Sequence, residues 1–188
     1  IDQAIEQIVK WRKLLNRDDL SISCNASSEL LSTYHVVEKL NKILVKYKLP
    51  AHCFNIEITE NVLINDPELT MKILHQLEAL GINIHLDDFG SGYSSLSYLH
   101  RFPIHNIKID RSFVNRLLDN EKDHAIVESI SLLANRLGIG VTAEGVENIV
   151  QYQALKQIGI ARTQGYYHGK PMDQAAAYEL LTAKSMRS

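Results

Sequence analysis

Two cysteines in 188 residues are too few to staple a secreted disulfide scaffold. Cys24 lies near the end of one strand-like segment and Cys53 just ahead of the next. Parallel strands would put the two sulfurs at opposite ends of a sheet, so both are expected as free thiols. No apolar run approaches the ~20 residues that a membrane span needs, and the N-terminus lacks a signal-peptide pattern. A cytoplasmic location is expected, with any membrane anchor lying upstream. Neither sign of charge is in excess: 20 basic residues stand against 22 acidic ones, for a net charge of -2. That removes the global basic field that gathers DNA or RNA, so any nucleotide must be held by local chemistry. Low-complexity linkers and close internal repeats are absent too, which excludes solenoids and arrays.

What remains is 45% apolar and 22% charged, the make-up of one compact domain over residues 1–188. At this length folding buries roughly 70% of the unfolded chain's surface, so a core needs no disulfide or structural metal. Ile1, Ile5, Ile8, Trp11 and Leu15 follow helical spacing with no cap or turn before them. The chain is therefore expected to begin inside an element, with an N-terminal piece missing. Helical and strand-like stretches then alternate to the end. Asp66 and Pro67 start a helix with Leu69, Ile73, Leu77 and Leu80 on one face and Gly81 as its stop. After Asp123 the pattern repeats, with a stripe of Ile126, Ile130, Leu133 and Leu137 ending at Gly138.

The strands each carry one polar and one apolar parity. Ser21, Ser23 and Asn25 oppose Ile22 and Cys24; Asn55, Glu57 and Thr59 oppose Ile56 and Ile58; Asn83, His85 and Asp87 oppose Ile84 and Leu86. Asn106, Lys108 and Asp110 oppose Ile107 and Ile109, and Thr142 and Glu144 oppose Val141 and Ala143. A doubly wound sheet, covered on both faces, would be apolar on both parities. A closed parallel barrel fits better, with polar groups meeting around the axis and apolar ones under an outer ring of helices. An α+β protein with one wet sheet face is the alternative. The fold expected is α/β, a TIM-like (β/α)8 barrel incomplete at the N-terminus, because only about six strands are visible where eight are needed.

Such barrels place their chemistry at the C-terminal strand ends. The last inward residues there are Asn25, Glu57, Asp87, Lys108, Glu144 and Gln164, with Asp88, Glu60, Asp110 and Glu147 close behind. So many carboxylates stay ionised together only around a cation, and an oxygen-rich set without sulfur or imidazole suits Mg2+ or Mn2+. The Asp87-Asp88 pair can straddle two ions spaced ~3.5–4 Å apart, an arrangement that serves phosphodiester hydrolysis. Lys108 can orient the nucleophile or offset charge developing on phosphorus. Taken singly, each acid could equally cap a helix or pair with a lysine. The stretch Phe89 to Leu96 is either a mobile lid or a plain connection. His85 reads as a satisfied interior histidine. Tyr166, Tyr167 and His168 suit stacking on a base or packing in the core.

These residues together resemble the EAL family of cyclic di-GMP phosphodiesterases, from the first helix almost to the C-terminus. Ser23-Cys24-Asn25-Ala26-Ser27 and Glu57-Ile58-Thr59-Glu60 match two of its strands, and Asp87-Asp88-Phe89-Gly90-Ser91-Gly92-Tyr93-Ser94-Ser95-Leu96 its paired aspartates and loop. Lys108-Ile109-Asp110, Ala143-Glu144-Gly145-Val146-Glu147 and Gln164-Gly165-Tyr166 follow in the family's order. The resemblance implies Mg2+- or Mn2+-dependent opening of cyclic di-GMP to linear pGpG, with two ions. It implies metal ligands at Asn25, Glu57, Asp87, Asp88 and Glu144, Lys108 near the attacking water and Gln164 in support. Glu60 would hold the loop beginning at Asp88, and Glu147 and Asp110 belong to the same shell. Glu144 is open between metal ligand and general base. A homodimer and fusion to sensor or other signalling domains are implied as well. The name-giving Glu-Ala-Leu, with its metal-binding glutamate and a substrate-phosphate arginine, would lie upstream of Ile1. Glu78-Ala79-Leu80 spells the same letters at the end of a helix and is read as chance. A receptor that binds the dinucleotide without cutting it is the alternative, and rim chemistry alone would also permit another phosphate or carboxylate substrate.

Overall fold

The computed structural model describes residues 1–33, 35–90 and 99–185. Among them, six strands form one sheet: β1 (Ile22–Asn25), β2 (Phe54–Thr59), β3 (Asn83–Phe89), β4 (Asn106–Ile109), β5 (Gly140–Ala143) and β6 (Arg162–Thr163). Each pairs in parallel with the strand before it. Parallel neighbours require crossovers. These are α2 (His35–Tyr47), α3 (Glu60–Asn65) with α4 (Pro67–Ala79), α5 (Arg111–Arg116) with α6 (Glu121–Leu137), and α7 (Ile149–Gln157). The connection from β3 to β4 holds Ser91 to Leu96 of the expected lid, which lie outside the described residues. Helix α1 (Asp2–Leu15) precedes the sheet, and α8 (Gln174–Ser185) returns to it, with Gln174 donating to Gln7 at 2.6 Å.

The two parities separate as expected. Ile56, Ile58, Ile84, Leu86, Ile107 and Ile109 are at most 1% exposed, beneath Leu40 of α2, Leu74 of α4 and Val127 of α6. Polar side chains of the other parity bond from strand to strand. Asn55 Nδ2 donates to Ser23 Oγ at 3.2 Å, Asn83 Nδ2 to Asn55 Oδ1 at 3.0 Å, and Asn106 Nδ2 to Thr142 Oγ1 at 3.1 Å. This polar face is concave. In a flat sheet β2 and β5 would lie roughly 14 Å apart, three strand spacings. Yet Glu57 of β2 and Glu144, one residue past β5, both reach the same Lys108 ammonium at 2.8 Å. The sheet therefore curls as six of the eight strands of a (β/α)8 barrel. Cys24 and Cys53 are both free.

Local signals place the helices well, with one exception. Asp66 accepts from Leu69 N at 3.0 Å, Pro67 opens α4, and Gly81 follows its end at φ +87. Glu78-Ala79-Leu80 lies at the C-terminal end of α4, which leads into the start of β3 and so sits opposite the mouth. The exception is α6. It starts at Glu121 behind Asn120, whose Oδ1 accepts from Lys122 N at 2.9 Å. Its buried residues are Asp123, Val127, Ile130 and Ala134, while Ile126 and Leu137 are exposed. Ile130 is buried and Leu133 packs against the core as expected, so the buried face is turned by about 60° from the expected stripe. Asp123 is drawn inward by an ion pair with Arg116 at 3.0 Å, which turns Ile126 away from the core.

Candidate active site

The C-terminal strand ends meet around one ammonium group. Lys108 Nζ lies 2.8 Å from Glu57, 2.9 Å from Asp87 and 2.8 Å from Glu144, and the four side chains are only 7–16% exposed. Burial alone would push Lys108 toward its neutral form. Hydrogen bonds to Glu144, Glu57 and Asp87 reverse this, and its pKa is raised. One ammonium cannot neutralise three carboxylates, and Asp88 adds a fourth. Burial first, and then repulsion from Asp87 and Asp88, pushes Glu144 up despite Lys108. Asp88 is raised by burial and by the charges of Asp87 and Asp110. The mouth carries more negative charge than its own residues balance.

Alternation along a strand should send Asp87 and Asp88 to opposite faces. They meet at the mouth because β3 bulges. Leu86 pairs with Ile107 and Phe89 with Ile109, so three steps on β3 span two on β4. The extra residue is Asp88, at φ +53, with its N–H donating to Asp87 Oδ1 at 3.1 Å. A bulge of this kind re-aims a side chain beside a site. The outcome is a cluster in which Asp87, Asp88 and Glu144 each offer an oxygen within 4.8 Å of the others. Oxygens around a Mg2+ lie about 3 to 4.2 Å apart, so side-chain rotations that draw these three oxygens together would close the set on a cation. All the donors are hard oxygens, which suits Mg2+ or Mn2+.

The other expected residues surround this cluster. Glu60, first residue of α3, accepts from Gly90 N at 2.8 Å and so ties down the chain just past the bulge. Asp110 caps α5 through Ser112 N at 2.9 Å. Burial opposes its ionisation, but the Ser112 hydrogen bonds and the Arg111 charge prevail and lower its pKa. Asp88, Asp110, Glu144, Glu147 and Gln164 line a cavity of ≈ 540 Å³. Asn25 is exposed on the edge strand β1, level with Glu57. Of the three candidate stacking residues, Tyr166 is 58% exposed and faces the cavity. Tyr167 instead stacks on Tyr152 with centroids 5.4 Å apart, and His168 meets Tyr152 edge-on. His85 lies inside, below Asp87, where burial holds its pKa down to about 4.

Two cavity residues escape the strand-end reading, Arg111 and Asn115. They sit four residues apart on α5, one helical turn, and therefore share a face. The available signal was Asp110: a cap at a strand end aims the first turn of the following helix at the mouth.

A parallel barrel whose strand ends converge on an under-neutralised group of carboxylates offers a place for a cation. The chain belongs to the EAL domain family, whose profile matches residues 1–171. Over 173 residues, covering 92% of this chain, it is 37% identical to the bifunctional diguanylate cyclase/cyclic di-GMP phosphodiesterase MucR of Pseudomonas aeruginosa. It spans between a fifth and a quarter of the length of the curated relatives it matches. The solved MucR phosphodiesterase in complex with c-di-GMP superposes with a TM-score of 0.88 at 35% identity, over 94% of this chain and 71% of that one. The EAL domain of Mycobacterium smegmatis DcpA gives 0.92 at 35% identity, over 98% and 82%. Klebsiella pneumoniae BlrP1, solved with manganese and cyclic di-GMP, gives 0.79 at 30% identity, over 88% and 42%.

Proposed function

We propose that this chain is the catalytic portion of a cyclic di-GMP phosphodiesterase, which hydrolyses one phosphodiester bond to give linear pGpG with two Mg2+ or Mn2+ ions at the acidic mouth. One observation carries this reading: Glu57, Asp87 and Glu144 converge on Lys108 while the bulge brings Asp88 into the same cluster. In this reading Asn25, Glu57, Asp87, Asp88 and Glu144 hold the ions. Bound there, the cations supply Lewis-acid stabilisation of a phosphoryl oxygen and make a water more acidic.

The chain's own groups do the rest. Lys108, whose three N–H groups hold Glu57, Asp87 and Glu144, stands near the attacking water and offsets negative charge gathering on phosphorus. Glu144 takes the water's proton as the new O–P bond forms. The P–O3′ bond breaks, and the ribose 3′-oxygen leaves as a hydroxyl with a proton returned from Glu144 through solvent, which restores the carboxylate. Asp110, Glu147 and Gln164 line the cavity that receives the dinucleotide, and Glu60 fixes the chain beyond Asp88. We place the domain in the cytoplasm as a homodimer joined to signalling modules. The small share of its relatives' length that it spans supports the joining to other modules.

Incubating the full-length protein with cyclic di-GMP and Mg2+ should yield pGpG on chromatography, and chelation should stop the reaction. Tight dinucleotide binding that survives chelation, with no pGpG formed, would overturn hydrolysis in favour of a receptor.

A further inference from the structure

Glu144 and Glu147 do not sit on a regular element. They belong to the stretch between β5 and α7: Glu144 N still donates to Ile109 O of β4 at 3.1 Å, but past Glu144 no helix or strand fixes the backbone. Catalytic geometry needs placement to within about 0.5 Å, so something else must hold it. The middle of the stretch is clamped from β6: Val146 N donates to Gln164 O at 3.0 Å, and Tyr167 N donates to Val146 O at 2.9 Å. Gly165 makes that approach possible, since a Cβ there would run into the Val146 backbone. Farther on, Glu147 N donates to a side chain, Gln151 Oε1, at 2.8 Å.

Gln151 is unusual for a helix residue so close to a chain surface. It is 6% exposed, and its Nε2 donates across to Val114 O of α5 at 3.5 Å. Its own N–H is capped by Asn148 at 3.0 Å, which fixes where the first turn of α7 starts. One buried amide thus joins the stretch bearing Glu144 and Glu147 to the helix bearing Arg111 and Asn115, and both walls line the same cavity. An apolar side chain of the same size would fill the space but leave Glu147 N and Val114 O without this link.

We propose that Gln151 is a positioning residue. It holds Glu147, and with it the stretch that follows Glu144, against α5, and thereby sets divalent-cation affinity at the mouth. The metal part of this inference rests on the function proposed above; the strut itself does not. The test compares Gln151→Met with Ile73→Val, a core change on α4 that lines none of the cavity, at a temperature where both are folded. Gln151→Met should weaken Mn2+ binding in calorimetry about tenfold, as loss of an outer-shell partner does. In the full-length protein it should lower kcat with KM for cyclic di-GMP within twofold. It should also speed amide exchange at Val146 and Glu147, while Ile73→Val changes only the melting temperature. Unchanged exchange at Glu147, or Mn2+ affinity equal to that of Ile73→Val, overturns the proposal. If the native protein binds no Mn2+ at all, the proposed function falls, and the exchange experiment alone decides the strut.

Discussion

Lys108→Met removes the one cation shared by Glu57, Asp87 and Glu144. Breaking a buried pair by deleting one partner costs about 3–5 kcal/mol. The structure narrows this. Carboxylates left roughly 5 Å apart would repel by about 3 kcal/mol per pair at an effective dielectric of 20. The cheaper escape is to protonate one of them, which at pH 7 costs about 3 kcal/mol for a group with the ordinary glutamate value of 4.5. In chelator at pH 7 the loss should therefore lie near 3 kcal/mol. The sign with pH follows. Without the ammonium these carboxyls have folded-state pKa values above their unfolded ones, so stability recovers as pH falls and protonation becomes easy, to a deficit of about 1 kcal/mol at pH 5. Urea unfolding of both proteins at the two pH values, with and without Mg2+, measures this. Mg2+ should restore the variant more than the native chain. A deficit under 1 kcal/mol at pH 7, or one independent of pH, would refute the reading of Lys108 as the mouth's internal counter-ion.

Three further outcomes are expected. Asp88→Asn keeps a residue that tolerates positive φ, so stability should change by less than about 1 kcal/mol while one of two Mn2+ equivalents is lost; calorimetry still showing two would contradict the ligand role. Gly165→Ala places a methyl against the Val146 backbone at φ +153 and should cost about 3 kcal/mol in denaturant titration, whereas a cost under 1 kcal/mol would mean that the clamp is loose. His85 is held at about 4 by burial and by the charges of Lys108, Arg162 and His105, against the pull of Glu57. The unfolded chain, titrating at 6.5, takes up a proton first, so this stability is whole above pH 6.5 and about 3 kcal/mol of it disappears by pH 4. His85→Gln should flatten that acid slope between pH 7 and pH 4, and an unchanged slope would assign it elsewhere.

The barrel was legible because its strands obey a period of two. Ile56 and Ile58 against Asn55 and Glu57 needs one apolar shell and one polar interior, and the structure supplies both. Caps and stops such as Asp66 and Gly81 were legible for local reasons. The α6 stripe was legible only in part: Ile130, Leu133 and the stop at Gly138 hold, but Asp123 is buried through a partner on another helix, and no periodicity within α6 reveals Arg116. The acids of the mouth were visible as types and positions, but their meeting at Lys108 depends on curvature that neighbouring residues do not encode. Arg111 and Asn115 were missed because attention to strand ends stops one turn short of the helices that follow.

The bulge in β3 makes the second aspartate an insertion, not an exchange. Leu86 and Phe89 keep their partners Ile107 and Ile109 on either side of it. Deleting the single codon for Asp88 would leave Asp87 and Phe89 on their present sides, with the ladder merely straightened. One acidic charge at the mouth thus rides on a single inserted residue, which one small indel can add or remove while the packing beneath the helices stays in place.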